Sequence, residues 1–100
     1  MNSVDIETFK EALVAGAAAF DTRPHSQFLL DAIPGVIPLA LAEVQGGEMP
    51  KLPKDHPIYL ICEHGYTSEL VGLYLEAAGF THVFNVQGGM VAWRSQLRSP

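Results

Sequence analysis

One cysteine in 100 residues rules out an internal disulfide and any metal site built from several thiolates. It fits a reducing compartment, and cytoplasm is the expected location. Basic residues are also sparse. Six lysines and arginines stand against eleven acidic residues, a formal charge of −5, which argues against nucleic acid or an anionic membrane surface as a partner. No apolar run is long enough to span a membrane. The stretch Ala12 to Phe20 follows Asp5, Glu7 and Glu11, where a secretory leader would carry positive charge. His25, His56 and His82 are isolated and read as surface or loop residues, and no set of side chains converges at metal-ligand spacing. Neither metal nor cofactor is expected. Gly88-Gly89 lacks the fuller glycine pattern of a dinucleotide turn and reads as a tight strand-to-helix connection.

What remains suffices for one packed core. The chain is 48% hydrophobic and 17% charged, without repeats or low-complexity tracts, and reads as a single domain over residues 1–100. Ile6, Phe9, Ala12 and Leu13 lie on one face of a first helix, Ser3 to Ala15, capped by Ser3 or Asp5 and stopped by Gly16. Ala17 to Thr22 reads as a buried strand, and Pro24 opens a short helix reaching Asp31. Val36 to Leu39 suits an edge strand because of Pro38, followed by a turn or two of helix over Ala40 to Gln45. Gly46 to Pro57 is loop. His82 to Val86 alternates like a strand, and a last helix carries Met90, Val91, Trp93 and Leu97, with Trp93 a core anchor. Strands alternating with helices predict an α/β fold with a mainly parallel sheet and helices on both faces.

The chain is organised around Ile58 to Gly79. The short apolar run Ile58 to Ile61 suits a strand buried on both faces, so ligands bind beyond its carboxyl end, at Cys62. Asp21 ends its own strand and is expected on the same side. A helix starts near Ser68, capped by Thr67 or Ser68 and stopped by Gly79, with Leu70, Leu73, Tyr74, Ala77 and Ala78 as its apolar face. Between strand and helix, the backbone N–H groups of Glu63, His64, Gly65, Tyr66, Thr67 and Ser68 can curl toward one point with the positive helix end behind them. An anion at the Cys62 sulfur is favoured there, and thiolate is the reactive form of cysteine. The plainer alternative is an inert, buried cysteine.

With these residues assembled, the chain resembles the single-domain rhodanese family of sulfurtransferases over nearly its whole length. The matching segments are Asp21-Thr22-Arg23 with Gln27-Phe28, Ile33-Pro34-Gly35-Val36, Leu52-Pro53-Lys54-Asp55, the Cys62 loop, Gly79-Phe80, and Val83 to Gly89 with Ala92-Trp93. The resemblance implies the rhodanese-like three-layer sandwich. It further implies a catalytic Cys62 that takes sulfane sulfur from a donor such as thiosulfate or a protein persulfide and passes it to a nucleophilic acceptor. Active relatives commonly carry cations where this chain has Glu63 and Thr67. A Glu63 turned over the sulfur would oppose a dianionic donor, whereas a solvated one would be tolerated; two charges about 4 Å apart interact by about 1 kcal/mol in water and about 4 at an effective dielectric of 20. Arg23, with Gln27 in place of an acidic partner, and His64 are candidates to compensate. Two other readings stand beside the sulfurtransferase: a rhodanese-like interaction module without turnover, and a cysteine phosphatase or arsenate reductase. The last ranks lowest, since Thr67 and Ser68 cannot supply the arginine clamp that such loops need.

Overall fold

The computed structural model describes residues 1–97; the end of the expected domain, up to Pro100, lies outside the described residues. Its elements in chain order are β1 (Asn2–Val4), α1 (Ile6–Val14), β2 (Ala18–Asp21), α2 (His25–Phe28), β3 (Ile37–Pro38), α3 (Leu41–Gln45), β4 (Ile58–Ile61), α4 (Tyr66–Ala77), β5 (Val83–Val86) and α5 (Gly89–Leu97). The strands form a five-stranded sheet in the order β1-β5-β4-β2-β3, and every pairing is parallel.

Side-chain alternation sorts the core into two layers. Phe20, Ile58, Leu60 and Val83 pack with Val44 of α3 and Val71 and Leu75 of α4. On the other face, Ala19, Ile61 and Val86 pack with Phe9 of α1 and Met90 of α5. Trp93 stands edge-on to Phe9 with ring centroids 6.2 Å apart, the anchoring expected of it. The α/β sandwich is observed, and so is burial of the Ile58 strand on both faces, with Ile58 and Leu60 in one layer and Ile61 in the other.

Two expectations need correction. Ser3 belongs to β1, which pairs with β5 through Asn2↔Phe84 and Val4↔Val86. The first helix therefore starts at Ile6, and Asp5 caps it by accepting the Thr8 N–H. The second concerns α4, which begins at Tyr66 with Gly65 as its N-cap at φ 101°. Its buried residues are Ser68, Val71, Gly72 and Leu75, whereas Leu70 is 42% exposed, Leu73 56% and Tyr74 38%. Because Ser68 turns inward to the cysteine, residues three, four and seven positions later share its buried face. The anion loop, not the leucine pattern, sets the rotation of the helix.

Candidate active site

Parallel pairing of β2 with β4 places Asp21 beside Ile61, so Asp21-Thr22-Arg23 and Cys62 emerge on the same side of the sheet. Thr22 fixes the junction, its N–H donating to the Ile61 carbonyl at 2.8 Å and its hydroxyl to the same oxygen at 3.3 Å. Beyond that point β4 ends and the chain turns through Cys62 to Gly65 into α4.

Cys62 is 2% exposed. Its Sγ accepts the backbone N–H of Gly65 at 3.1 Å and that of Ser68 at 3.3 Å, and lies 3.2 Å from the Ser68 hydroxyl. Among the loop amides the sequence offered, these two reach the sulfur. The left-handed backbone at Gly65 permits the turn, since a Cβ there would be strained. The amino end of a 12-residue helix adds its partial positive charge. Two fixed donors and a helix end form a cradle for an anionic sulfur.

The loop is held from behind by residues the sequence reading did not assign. Buried Asn85 of β5 accepts the Ser68 hydroxyl at 2.5 Å and donates to the Gly65 carbonyl at 3.0 Å. The first amides of α5 donate to the loop carbonyls, Met90 to Cys62 at 2.7 Å and Val91 to Glu63 at 3.1 Å. Gly88 and Gly89 both have positive φ, 75° and 53°, which is the tight turn expected of them. Gly89 also permits a close approach: a Cβ there would lie 2.2 Å from the Cys62 carbonyl oxygen.

Glu63 is neither turned over the sulfur nor simply solvated. Arg94 of α5 grips its carboxylate through both terminal nitrogens, at 2.5 and 2.9 Å. Arg94 also reaches Asp31, and Arg23 stands 3.6 Å from Glu63. The Arg94 hydrogen bonds hold Glu63 below its usual carboxylate value. Burial would raise Asp31, but Arg23 and Arg94 outweigh it and hold that carboxyl low as well. Arg94 is itself raised, chiefly by Glu63.

Arg23 is not the free cation that Gln27 suggested. It is 3% exposed, binds both carboxylate oxygens of Asp21 and donates to Asp31 at 2.8 Å. Its acidic partners come from positions 21 and 31 instead of 27. Together with Gln27, Leu30, Asp31, Glu63 and Arg94 it lines a cleft of about 480 Å³. Cys62 is not on that wall. With Asp21 behind Arg23, two arginines face three carboxylates, so the cleft region carries no surplus positive charge. His64 and Tyr66 are exposed and stack on each other with centroids 6.2 Å apart, and Thr67 is half-buried. Among the described hydrogen bonds, neither His64 nor Thr67 reaches Sγ. His25, expected to be isolated, contacts Glu43 at 2.8 Å.

A parallel α/β sheet whose central strand ends in a cysteine, with the sulfur cradled by backbone amides at a helix start, defines a cysteine-loop domain able to hold a sulfur anion. The chain belongs to the rhodanese-like domain family, whose model matches residues 5–96. It is 31% identical to the thiosulfate sulfurtransferase GlpE of Pseudomonas savastanoi pv. phaseolicola over 80% of this chain and 74% of that one. An adenylyltransferase and sulfurtransferase of Meyerozyma guilliermondii is 29% identical over 77% of this chain, which spans only 20% of that protein's length. A rhodanese-like domain protein from Staphylococcus aureus superposes with a TM-score of 0.82 at 27% identity, over 93% of this chain and 91% of that one. These relatives make sulfurtransferase the class to which the chain is similar. Among the described residues no helix is long and apolar enough to cross a membrane.

Proposed function

We propose that the protein transfers sulfane sulfur through a persulfide on Cys62. The observation that carries this reading is the pair of backbone donors from Gly65 and Ser68 on Sγ at the start of α4. The Cys62 thiolate attacks the outer sulfur of a donor R–S–S⁻ or thiosulfate. The donor S–S bond breaks, and the thiolate or sulfite leaves with its electron pair. A nucleophilic acceptor then attacks the outer sulfur of the Cys62 persulfide, and the Cys62 thiolate is the leaving group. Thiolate and persulfide are both anions, so preorganised N–H donors serve each half-reaction. The names of the GlpE relatives support thiosulfate as one donor.

The charge balance around Glu63 favours a protein-bound or singly charged donor over free thiosulfate, because Arg23 and Arg94 are already committed to carboxylates. The partners on this reading are small or protein sulfur donors and acceptors in the cytoplasm. The near-complete burial of Cys62 favours a second reading, a rhodanese-like interaction module without turnover. Intact-protein mass spectrometry separates the two. The chain is exposed to thiosulfate or to a persulfidated protein, with Cys62→Ser as control. Sulfur transfer requires a gain of one sulfur atom, reversed by cyanide or a thiol and absent in the control. No gain from either donor, with the protein folded and Cys62 reduced, leaves the interaction module.

A further inference from the structure

We propose that Asn85 is a positioning residue that sets the reactivity of Cys62 by directing the single hydroxyl proton of Ser68. The proposal rests on reading Cys62 as the nucleophile. Asn85 occupies a buried strand position, and its amide bridges two points of the loop. Its Nδ2 donates to the Gly65 carbonyl at 3.0 Å, and its Oδ1 accepts the Ser68 hydroxyl at 2.5 Å. A carbonyl oxygen can only accept, so the Gly65 contact fixes which end of the amide is nitrogen. Oδ1 must therefore face Ser68.

A hydroxyl has one proton to give. With that proton on Asn85, the oxygen of Ser68 presents a lone pair to Sγ, 3.2 Å away. The arrangement closes a ring. The Cys62 thiol donates to Ser68, Ser68 to Asn85 Oδ1, Asn85 Nδ2 to the Gly65 carbonyl, and the Gly65 N–H to Sγ. Each link of this ring pairs one donor with one acceptor when the sulfur carries its hydrogen. Once the sulfur is an anion, Ser68 must choose between the sulfur and Asn85. Turning to the sulfur leaves a buried Oδ1 without a donor, a position that is costly in a protein interior. Asn85 thus withholds one hydrogen bond from the thiolate while its other end keeps the Gly65 amide aimed at the sulfur. The resting cysteine is restrained without loss of the cradle.

Alkylation of Cys62 by iodoacetamide, followed by intact mass, tests this without any sulfur donor, so a negative persulfide experiment and a failure here are distinguishable. The readout is the ratio of the rate at about pH 6.5 to that at about pH 9, chosen around the ordinary thiol value. Asn85→Ala frees the Ser68 hydroxyl for the sulfur and is expected to raise this ratio roughly tenfold, the effect of one hydrogen bond to an ionised acceptor. In a Ser68→Ala background the same substitution should give no rise, and any change should be a fall, because the Asn85 contact that aims the Gly65 amide is also lost. No rise, or an equal rise in both backgrounds, overturns the proposal, because a merely structural role for Asn85 does not depend on the Ser68 hydroxyl. Should Asn85→Ala fail to fold, Ser68→Ala alone decides. The ring predicts an unchanged or higher ratio, whereas a lower ratio means that Ser68 already donates to the thiolate and sinks the idea.

Discussion

Replacing Gly89 by alanine should damage the protein more than any comparable glycine substitution, and the structure supplies the control. At Gly16, φ is 85° and a new Cβ would meet nothing within 4 Å, so Gly16→Ala incurs only the left-handed backbone strain of an L-residue, about 1–2 kcal/mol. At Gly89, φ is 53°, and the Cβ would stand 2.2 Å from the Cys62 oxygen and 2.7 Å from the Glu63 oxygen. Both atoms are backbone and are held by the Met90 and Val91 amides, so no side chain can swing aside. Forcing a methyl into a packed site costs about 1–3 kcal/mol, which brings Gly89→Ala to about 2–5 kcal/mol with the strain included. Urea unfolding of both variants measures the difference at unchanged slope. Alkylation of Cys62 in the folded Gly89 variant should also change, since the displaced carbonyls belong to the cysteine loop. If the two variants lose the same stability within about 0.5 kcal/mol, a typical error of additive comparisons, then α5 does not brace the loop as described.

Three further outcomes are expected. Arg94→Ala should cost about 1 kcal/mol or less, because both partners of the Glu63 pair are about one-third exposed and screened. Glu63 and Asp31 are held below their ordinary values of 4.5 and 3.8, so their contribution is present above those values and lost as pH falls through the lowered ones. Acid unfolding of wild type should therefore show a pH dependence below about 4.5 that Arg94→Ala flattens, and parallel curves would refute the assignment. Glu63→Gln removes one of three carboxylates beside the two arginines. If the sulfur-transfer reading holds, it should speed persulfide formation from thiosulfate severalfold, and added salt should erode the gain; an unchanged rate would show that Glu63 does not select against dianions. Phe9→Ala, at a residue with no exposed surface between Tyr59 and Trp93, should cost about 3–5 kcal/mol by chemical unfolding. A loss below about 1 kcal/mol would mean that the α1 layer is not load-carrying core.

The sequence carried the central features because their signals are local. Ile58 to Ile61 is a continuous apolar run, Cys62 ends it, and glycines mark the turns that proved left-handed. The missing parts are long-range. β1 is three residues long and exists by pairing with β5 more than eighty positions away. Arg94 meets Glu63 across 31 residues, and nothing in the spacing joins them. The rotation of α4 was misjudged because Leu70 and Leu73 outweigh Ser68 in any hydrophobic count, while the hydrogen bonds of Ser68 decide which face turns inward. Asn85 did leave a trace: a polar residue between Phe84 and Val86, in a strand beside the cysteine strand, needs a buried partner. That partner was the loop.

The order of the sheet also bears on what its edges offer to other chains. Unpaired strand edges invite strand addition from other chains. Here the two outermost strands are the shortest, three residues in β1 and two in β3, and β3 ends in Pro38, which has no amide hydrogen to offer. The four-residue strands β2, β4 and β5 are all interior. Little ladder is left on β1 and β3 for a second sheet to extend, and the strand bearing the cysteine lies two strands in from either edge.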